Sequence, residues 1–106
     1  MTAPSGFVAS GVSCGLKPSG GLDIGVLVST RRATSALVDT ASALPSESVI
    51  HTRSLDISRL QGVIVNAGNA NAATGPQGIR DAARIGATAA EELGIPSGEL
   101  AVCSTG

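Results

Sequence analysis

Gln61-Gly62-Val63-Ile64-Val65-Asn66 is an apolar run with three consecutive β-branched residues, and it predicts a buried strand. A loop rich in Gly, Asn and Ala follows, and Thr74-Gly75-Pro76-Gln77 then begins the clearest helix of the chain. Thr and Gln stand there at capping-box spacing, and Pro lies in the first turn, where its missing N–H costs nothing. Gly94 and Pro96 mark the end of this helix, because Gly tolerates left-handed backbone and Pro cannot continue a helix.

Residues 99–103 are predicted as the last strand, so the second half of the chain reads strand–helix–strand. The small and apolar residues expected on one face of the helix are Ile79, Ala82, Ala83, Gly86, Ala90 and Leu93. Their size predicts a helix that lies close against a sheet. Together with several strands upstream, this order indicates an α/β or α+β layered fold.

The first half of the chain predicts short strands separated by turns. Residues 6–12 alternate apolar and small residues, and residues 23–29 are nearly all apolar and are expected to be buried on both faces. Lys17-Pro18-Ser19-Gly20-Gly21 between them predicts a turn. A third strand is expected at residues 34–40, and residues 49–52 are interpreted as another short strand after an irregular Ser/Pro-rich segment.

The composition excludes several classes of function. The chain has 106 residues, enough for at most one domain, and its net charge of −1 without a basic stripe argues against a nucleic-acid partner. It has neither an apolar run of about 18 residues nor a signal peptide, so no membrane contact is expected and the predicted location is the cytoplasm. The widely spaced Cys14 and Cys103, expected to act as small hydrophobes, and the lone His51, expected at the surface, predict no metal site or disulfide. No cofactor is expected.

The end of the chain, Ala101-Val102-Cys103-Ser104-Thr105-Gly106, reads as a strand that runs into an active-site turn without a closing element. We therefore expect residues 1–106 to form a single partial domain, the N-terminal part of a larger polypeptide. Phe7 is the one aromatic residue, and aromatic side chains dominate burial in ordinary cores. The fold is therefore expected to be completed by a second chain.

Two segments are candidates for a functional site. Residues 66–75 lie before a helix N-terminus, which favours an anion, but without a phosphate-loop motif. They form either a loop that shapes an active site or a tight turn held by its asparagines. Ser104-Thr105-Gly106 is either a simple turn or an oxyanion hole, with the Thr105 hydroxyl and the Gly106 N–H as donors.

Three blocks of the sequence resemble the ornithine acetyltransferases, also called bifunctional glutamate N-acetyltransferases. That family opens with G-F-x-A-x-G-V, G-x-K-P-S-G and an Asp, continues with N-S-G-N-A-N-A-x-T-G-x-Q-G, and then has L-G-I-P before a strand ending in S-T-G. The matching residues here are 6–12, 15–20 and 23, then 66–78 with Ala67 in place of Ser, and finally 93–96 and 104–106.

The resemblance implies a mechanism and a partner. Members of the family are self-cleaved before a Thr, which becomes the N-terminal nucleophile of a second, β chain, and two α and two β chains form a heterotetramer. That Thr takes the acetyl group from N-acetylornithine as an acyl-enzyme and passes it to glutamate, as in arginine biosynthesis. The resemblance implies an N-terminal-nucleophile-like fold, an α-chain role for this sequence, and an oxyanion hole formed by Thr105 and Gly106. The nucleophile itself has no counterpart here.

Two departures from the family pattern leave alternatives open. Residues 38–45 lack the family's V-F-T-T-N stretch, which indicates a specialised relative, for example in secondary metabolism. The chain also stops sooner after S-T-G than the family's first subunit does. The alternatives are an amidase- or aminopeptidase-like hydrolase that uses the same acyl-enzyme, and a non-catalytic scaffold chain in which residues 104–106 are only a turn.

Overall fold

The computed structural model describes residues 4–106, in which four strands form one sheet and two helices accompany it. In chain order the elements are β1 (Phe7–Val12), β2 (Ile24–Ser29), α1 (Glu47–Arg53), β3 (Gly62–Ala67), α2 (Gly75–Leu93) and β4 (Leu100–Thr105), with a 3₁₀ turn at Ser97–Glu99 before β4. The strands lie in the order β1-β2-β3-β4. The first two pairings are antiparallel, whereas β3 and β4 are parallel and are joined through α2.

Both helices lie on the same side of the sheet, where α2 packs on β4 and α1 packs on α2 and β4. The face of α2 that is buried there carries small residues spaced four apart: Gly78, Ala82, Gly86 and Ala90. Of these, Ala82 and Ala90 pack with Ile64 of β3 and with Leu100 and Val102 of β4 to form the core. A Cβ added to Gly86 would lie 3.0 Å from Cγ2 of Val102, so the backbone of α2 approaches the sheet closely.

The structure confirms most of the features predicted for helix α2, but not its N-terminal cap. Gly94 ends it in left-handed backbone at φ 67°, as expected. Thr74, however, has near-helical backbone angles and makes no capping bond, and the Gln77 side chain bonds Arg80 and Asp81 instead. The predicted capping box is therefore wrong. Two members of the predicted buried face, Ala83 and Leu93, are exposed, because the fully buried stripe of α2 follows the i, i+4 row.

The segment between β2 and β3 differs from the sequence prediction. Residues 34–40 form no strand, because Ser35 is held in irregular backbone by bonds to the loop that precedes β3: its hydroxyl donates to the Ile57 carbonyl at 2.7 Å and accepts the Leu60 N–H at 2.7 Å. Residues 49–52 belong to α1, not to a strand. Val49 and Ile50 are β-branched and favour a strand, but tertiary contacts outweigh this preference. The Thr52 hydroxyl donates a hydrogen bond to the Val102 carbonyl of β4 and accepts one from the Val102 N–H.

Strand β2 is not buried on both faces as predicted. Its side chains facing the helices are at least half-buried, but Leu27 on the opposite face is 41% exposed. The register places Leu27 opposite Ala9 of β1 and Val63 of β3, on the side of the sheet away from α1 and α2. We call this side the open face. The turn predicted after residue 17 is confirmed, since the Gly20 N–H donates to the Lys17 carbonyl at 3.0 Å.

Candidate active site

The three sequence blocks meet at one end of the sheet, where β3 and β4 finish. The N–H of Gly68, just after β3, donates to the Thr105 carbonyl at 3.0 Å. Gly68 has φ +111°, and a Cβ there would lie 3.0 Å from Cγ of Lys17 in the first block. Only a glycine fits this backbone and this contact. The loop of residues 14–17, the loop of residues 68–74 and the end of β4 therefore form one continuous surface.

The loop of residues 14–17 is held by the carboxylate of Asp23. Its Oδ1 accepts the Cys14 N–H at 2.6 Å, and its Oδ2 accepts the N–H groups of Leu16 at 2.6 Å and Lys17 at 3.1 Å. Asp23 is 3% exposed, and these backbone donors, that of Cys14 above all, lower its pKa to about 2. A carboxylate that accepts several backbone N–H groups is stabilised in its charged form. Asp23 thus fixes the path of this loop as an ionised clamp.

The loop of residues 68–74 is fastened to β4 through Ser104. The Ser104 hydroxyl lies 2.6 Å from Oδ1 of Asn66 and 3.0 Å from the Asn69 carbonyl, and it accepts the Asn71 N–H at 3.1 Å. The side-chain amide of Asn66 also donates to the Asn69 carbonyl at 2.8 Å. The asparagines therefore do more than stabilise a turn, since they join the ends of both parallel strands to the loop. This supports the interpretation of residues 66–75 as a loop that shapes a site.

The start of α2 is capped by Glu47 of α1. One carboxylate oxygen, Oε1, accepts the N–H groups of Thr74 at 2.9 Å and Gly75 at 2.7 Å. The Gly75 N–H is the main cause that lowers the pKa of Glu47, so the side chain is ionised at neutral pH. A negative charge at this position is also favoured by the helix dipole. An internal carboxylate thus occupies the N-terminus that the sequence suggested for an external anion.

A cavity of about 420 Å³ opens between this loop and the side of α2. Its apolar wall includes Leu16, Ile24, Ile64 and Ile85, and its polar wall includes Asn66, Asn71, Thr74 and Ser104. Asp81 of α2 also lies at the cavity and is exposed. The cavity combines apolar walls with a few convergent polar groups, as small-molecule sites do.

The predicted oxyanion residues lie at the same end of β4, and the Thr105 side chain points away from that cavity. Side chains alternate along a strand, so Thr105 projects from the open face while Ser104 projects toward α2. Thr105 and Gly106 are both exposed, and Gly106 lies beside Ala70, whose Cβ is 3.8 Å from the place of a Gly106 Cβ. The Thr105 hydroxyl is therefore available to a group that approaches the sheet from its open face.

The other candidate residues lie outside this region or carry no sign of reactivity. His51 was expected at the surface but is half-buried in α1, where desolvation lowers its pKa. Cys14 and Cys103 are both free thiols. Desolvation raises the pKa of each, with a further rise at Cys14 from Asp23, so both favour the unreactive thiol form.

The described part of the chain offers neither a metal-binding cluster nor a membrane span. Within residues 4–106, no three His, Cys, Asp or Glu side chains cluster so as to hold a metal ion. Neither α1 nor α2 has the length and apolar character needed to cross a bilayer.

Sequence reasoning missed Glu47 altogether. An acidic residue after Ser46 is a signal for the start of a helix, and it would have predicted α1. That the carboxylate caps a second helix 28 residues later depends on tertiary packing, for which the sequence has no local signal.

Comparison with known proteins gives a consistent result. The model of the ArgJ family matches residues 8–106. The chain is 41% identical to the arginine biosynthesis bifunctional protein ArgJ of Streptomyces coelicolor, 44% identical to that of Bacillus licheniformis and 38% identical to a glutamate N-acetyltransferase of Methanopyrus kandleri. These alignments cover the whole of this chain but only 28%, 26% and 26% of the relatives, so it spans about a quarter of their length.

Two solved structures have the same fold. An arginine biosynthesis bifunctional protein ArgJ from Bacillus halodurans superposes with a TM-score of 0.89 at 37% identity, over 96% of this chain and 54% of that chain. An ornithine acetyltransferase from Mycobacterium tuberculosis, solved in complex with ornithine, superposes with a TM-score of 0.87 at 38% identity, over 98% and 57%. The predicted fold class, an α/β fold of the N-terminal-nucleophile-like type found in these acetyltransferases, is confirmed.

Proposed function

Because the chain belongs to the ArgJ family, we propose that it forms part of an acetyltransferase that moves an acetyl group from N-acetylornithine, or a similar N-acetyl amino acid, to glutamate. The observation that carries the proposal is the meeting of the three family blocks at the end of β4, where Gly68 bonds Thr105 and Gly106 lies beside Ala70. The proposed enzyme works in the cytoplasm and needs no cofactor.

The proposed chemistry is acyl transfer through an ester. A Thr hydroxyl at the N-terminus of a partner β chain attacks the acetyl carbonyl and loses its proton to a base such as its own α-amine. The amide C–N bond then breaks, ornithine leaves with its amine protonated, and an acetyl-Thr ester remains. The amine of glutamate attacks this ester, and N-acetylglutamate leaves as the Thr hydroxyl is restored. Each attack places negative charge on the carbonyl oxygen.

Thr105 and Gly106 are the proposed donors to that oxygen. Both are exposed, and the backbone beneath them is held by the Gly68 N–H and by the bonds of Ser104. Donors fixed before the reaction stabilise the developing charge without a cost of reorganisation. Since Thr105 projects from the open face, the proposal places the β chain and its nucleophile on that side. The proposed assembly contains two α and two β chains, formed by self-cleavage of one precursor.

One segment of the chain differs from the family sequence and bears on the identity of the substrate. Residues 38–45, where the family carries V-F-T-T-N, form an irregular segment in which Val38 is 97% and Leu44 is 89% exposed. Arg53 holds this segment through two bonds to Asp39 at 2.6 and 2.8 Å. The proposed enzyme is therefore either of the arginine-biosynthesis type or a specialised relative whose N-acetyl donor differs from N-acetylornithine in its side chain.

Replacement of Thr105 tests the oxyanion role. In the processed enzyme, Thr105→Ala should lower kcat for acetyl transfer from N-acetylornithine to glutamate by roughly 10²–10³-fold with little change in KM, because the bond forms fully only in the transition state. Thr105→Ser, which keeps the hydroxyl, is the matched control and should retain most activity. An unchanged kcat for processed Thr105→Ala would remove Thr105 from the mechanism. Acetate release without transfer would instead identify a hydrolase.

A further inference from the structure

Glu47 is the one side chain by which α1 reaches the candidate active-site loop. It is 7% exposed, and its Oε1 accepts both the Thr74 N–H and the Gly75 N–H. Within residues 4–106 its other oxygen, Oε2, is buried without a hydrogen-bond partner, so the carboxylate is held through Oε1. Gly75 has φ +65°, which means that the loop enters α2 through a backbone turn and not by a smooth helical start.

From this anchor a series of hydrogen bonds leads to the end of β4. The Thr74 hydroxyl donates to Oδ1 of Asn71, and Nδ2 of Asn71 donates to the Gly78 carbonyl at 2.8 Å. The backbone N–H of Asn71 then donates to the Ser104 hydroxyl at 3.1 Å. Ser104 directly precedes Thr105. The position of the loop therefore depends on where the first turn of α2 is held. Ala70 of this loop lies beside Gly106, which follows the last paired residue of β4.

We propose that Glu47 is a positioning residue for the acetyl-transfer site, which sets the place of Gly106 through the loop between β3 and α2. This inference rests on the proposed function. It assigns a role to α1, whose main contacts with other helices and strands are those to α2 and β4. Glu47 touches neither Thr105 nor Gly106, so its effect is on geometry and not on the chemical step itself.

Loss of Glu47 should leave the fold intact, because α1 has a second attachment. Thr52 donates its hydroxyl to the Val102 carbonyl at 3.0 Å and accepts the Val102 N–H at 3.1 Å. The ladder between β3 and β4 does not involve Glu47 either. Removing the carboxylate therefore frees the first turn of α2 and the loop before it, while strand pairing persists.

The test compares three variants in the complete enzyme, with its partner chain. Glu47→Ala should lower kcat for acetyl transfer by about 10- to 100-fold with KM changed by less than about twofold, since a displacement of about 1 Å at a distance from the chemistry can have an effect of that size. Glu47→Gln keeps an acceptor oxygen for Thr74 and Gly75 and should restore kcat to within about threefold. Glu92→Ala, at an exposed carboxylate near the other end of α2, is the matched control and should behave as the parent.

Each outcome has a defined meaning. A folded Glu47→Ala enzyme with parental kcat overturns the inference, as does a Glu47→Gln enzyme no better than Glu47→Ala. If Glu47→Ala does not fold, Glu47→Asp decides: its shorter side chain should lower kcat severalfold at constant KM, and parental kcat would again overturn the inference. A parent enzyme that transfers no acetyl group refutes the proposed function itself, independently of Glu47.

Discussion

At the scale of single residues, two buried carboxylates determine the shape of the candidate site. Asp23 accepts hydrogen bonds from three backbone N–H groups of the loop before it, and Glu47 accepts two from the start of α2. Both loops that border the end of β4 are therefore held by charged acceptors, which make stronger hydrogen bonds than neutral ones. An irregular loop fixed in this way can present backbone groups in a constant place.

The Asp23 clamp leads to a prediction about stability. Asp23→Asn should lower the free energy of unfolding at neutral pH, because Asn has one acceptor oxygen where the carboxylate serves three N–H groups with two. The effect should depend on pH in a defined direction. The pKa of Asp23 is lowered from 3.8 to about 2 in the fold, so its contribution is complete above about pH 4 and is lost as the pH falls toward 2.

Denaturant unfolding of parent and Asp23→Asn enzyme at several pH values between 7 and about 2 would measure this effect. The difference between the two should be largest at neutral pH and should shrink below about pH 4. Glu92→Gln, at an exposed carboxylate near the end of α2, provides a control. A difference that stays constant over the whole range would show that the charge of Asp23 does not hold the loop.

At the scale of elements, the stripe of Gly and Ala on α2 sets the distance between helix and sheet. Gly86 is the tightest point against the strands, since a Cβ added there would have Val102, His51 and the Leu100 carbonyl all within 3.8 Å. Close packing of this kind leaves no room for additional side-chain atoms. The sequence predicted this feature correctly, because the i, i+4 spacing of small residues is visible without knowledge of their partners.

Enlarging Gly86 should therefore separate the two layers. Gly86→Leu should destabilise the protein by about 1–3 kcal/mol through overpacking against Val102. Gly98→Leu is the matched control, since no atom lies within 4 Å of a Cβ at that exposed position. Thermal unfolding of both variants checks the expectation. Equal melting temperatures for Gly86→Leu and Gly98→Leu would show that the helix face does not limit the layer spacing.

Elements with local signals were predicted, and elements defined by distant contacts were not. The strands β1 to β4 and the helix α2 follow from apolar runs and from Gly94. Helix α1 was mistaken for a strand because Val49 and Ile50 have β-branched side chains, whereas Thr52 and Glu47 hold the segment as a helix through bonds to residues far along the chain. The meeting of the loops in the candidate site was not predicted either, because it depends on contacts between distant residues such as Gly68 and Lys17.

At the scale of the whole molecule, the helices cover β3 and β4 on one side of the sheet, whereas the other side is largely bare. Residues 33–36 and Leu60 border the base of the open face, but Phe7 and Leu27 remain about 40% exposed there. On the covered side, Leu100 is the largest side chain that is fully buried. A sheet without a layer on its open face buries little apolar surface, so we expect its free energy of unfolding to be small.

We therefore expect residues 1–106, expressed alone, to show no cooperative unfolding transition as a monomer. Circular dichroism during heating and sedimentation at several concentrations would check this. Co-expression with the proposed β chain should restore a cooperative transition, because the apolar open face is then buried. A soluble monomer of residues 1–106 with a sharp melting transition would contradict the requirement for a partner on the open face.

The strands lie side by side in the sheet in the same order as in the chain, and this has a consequence for folding during synthesis on the ribosome. Each strand pairs with the one made just before it, so β1, β2 and β3 can assemble vectorially as they emerge. Helix α1 cannot, because seven residues are too few for a helix to persist in water and the backbone groups that Glu47 and Thr52 bind are translated only later. Nascent α1 should therefore stay unstructured, open to chaperones and proteases, until α2 and β4 have left the exit tunnel.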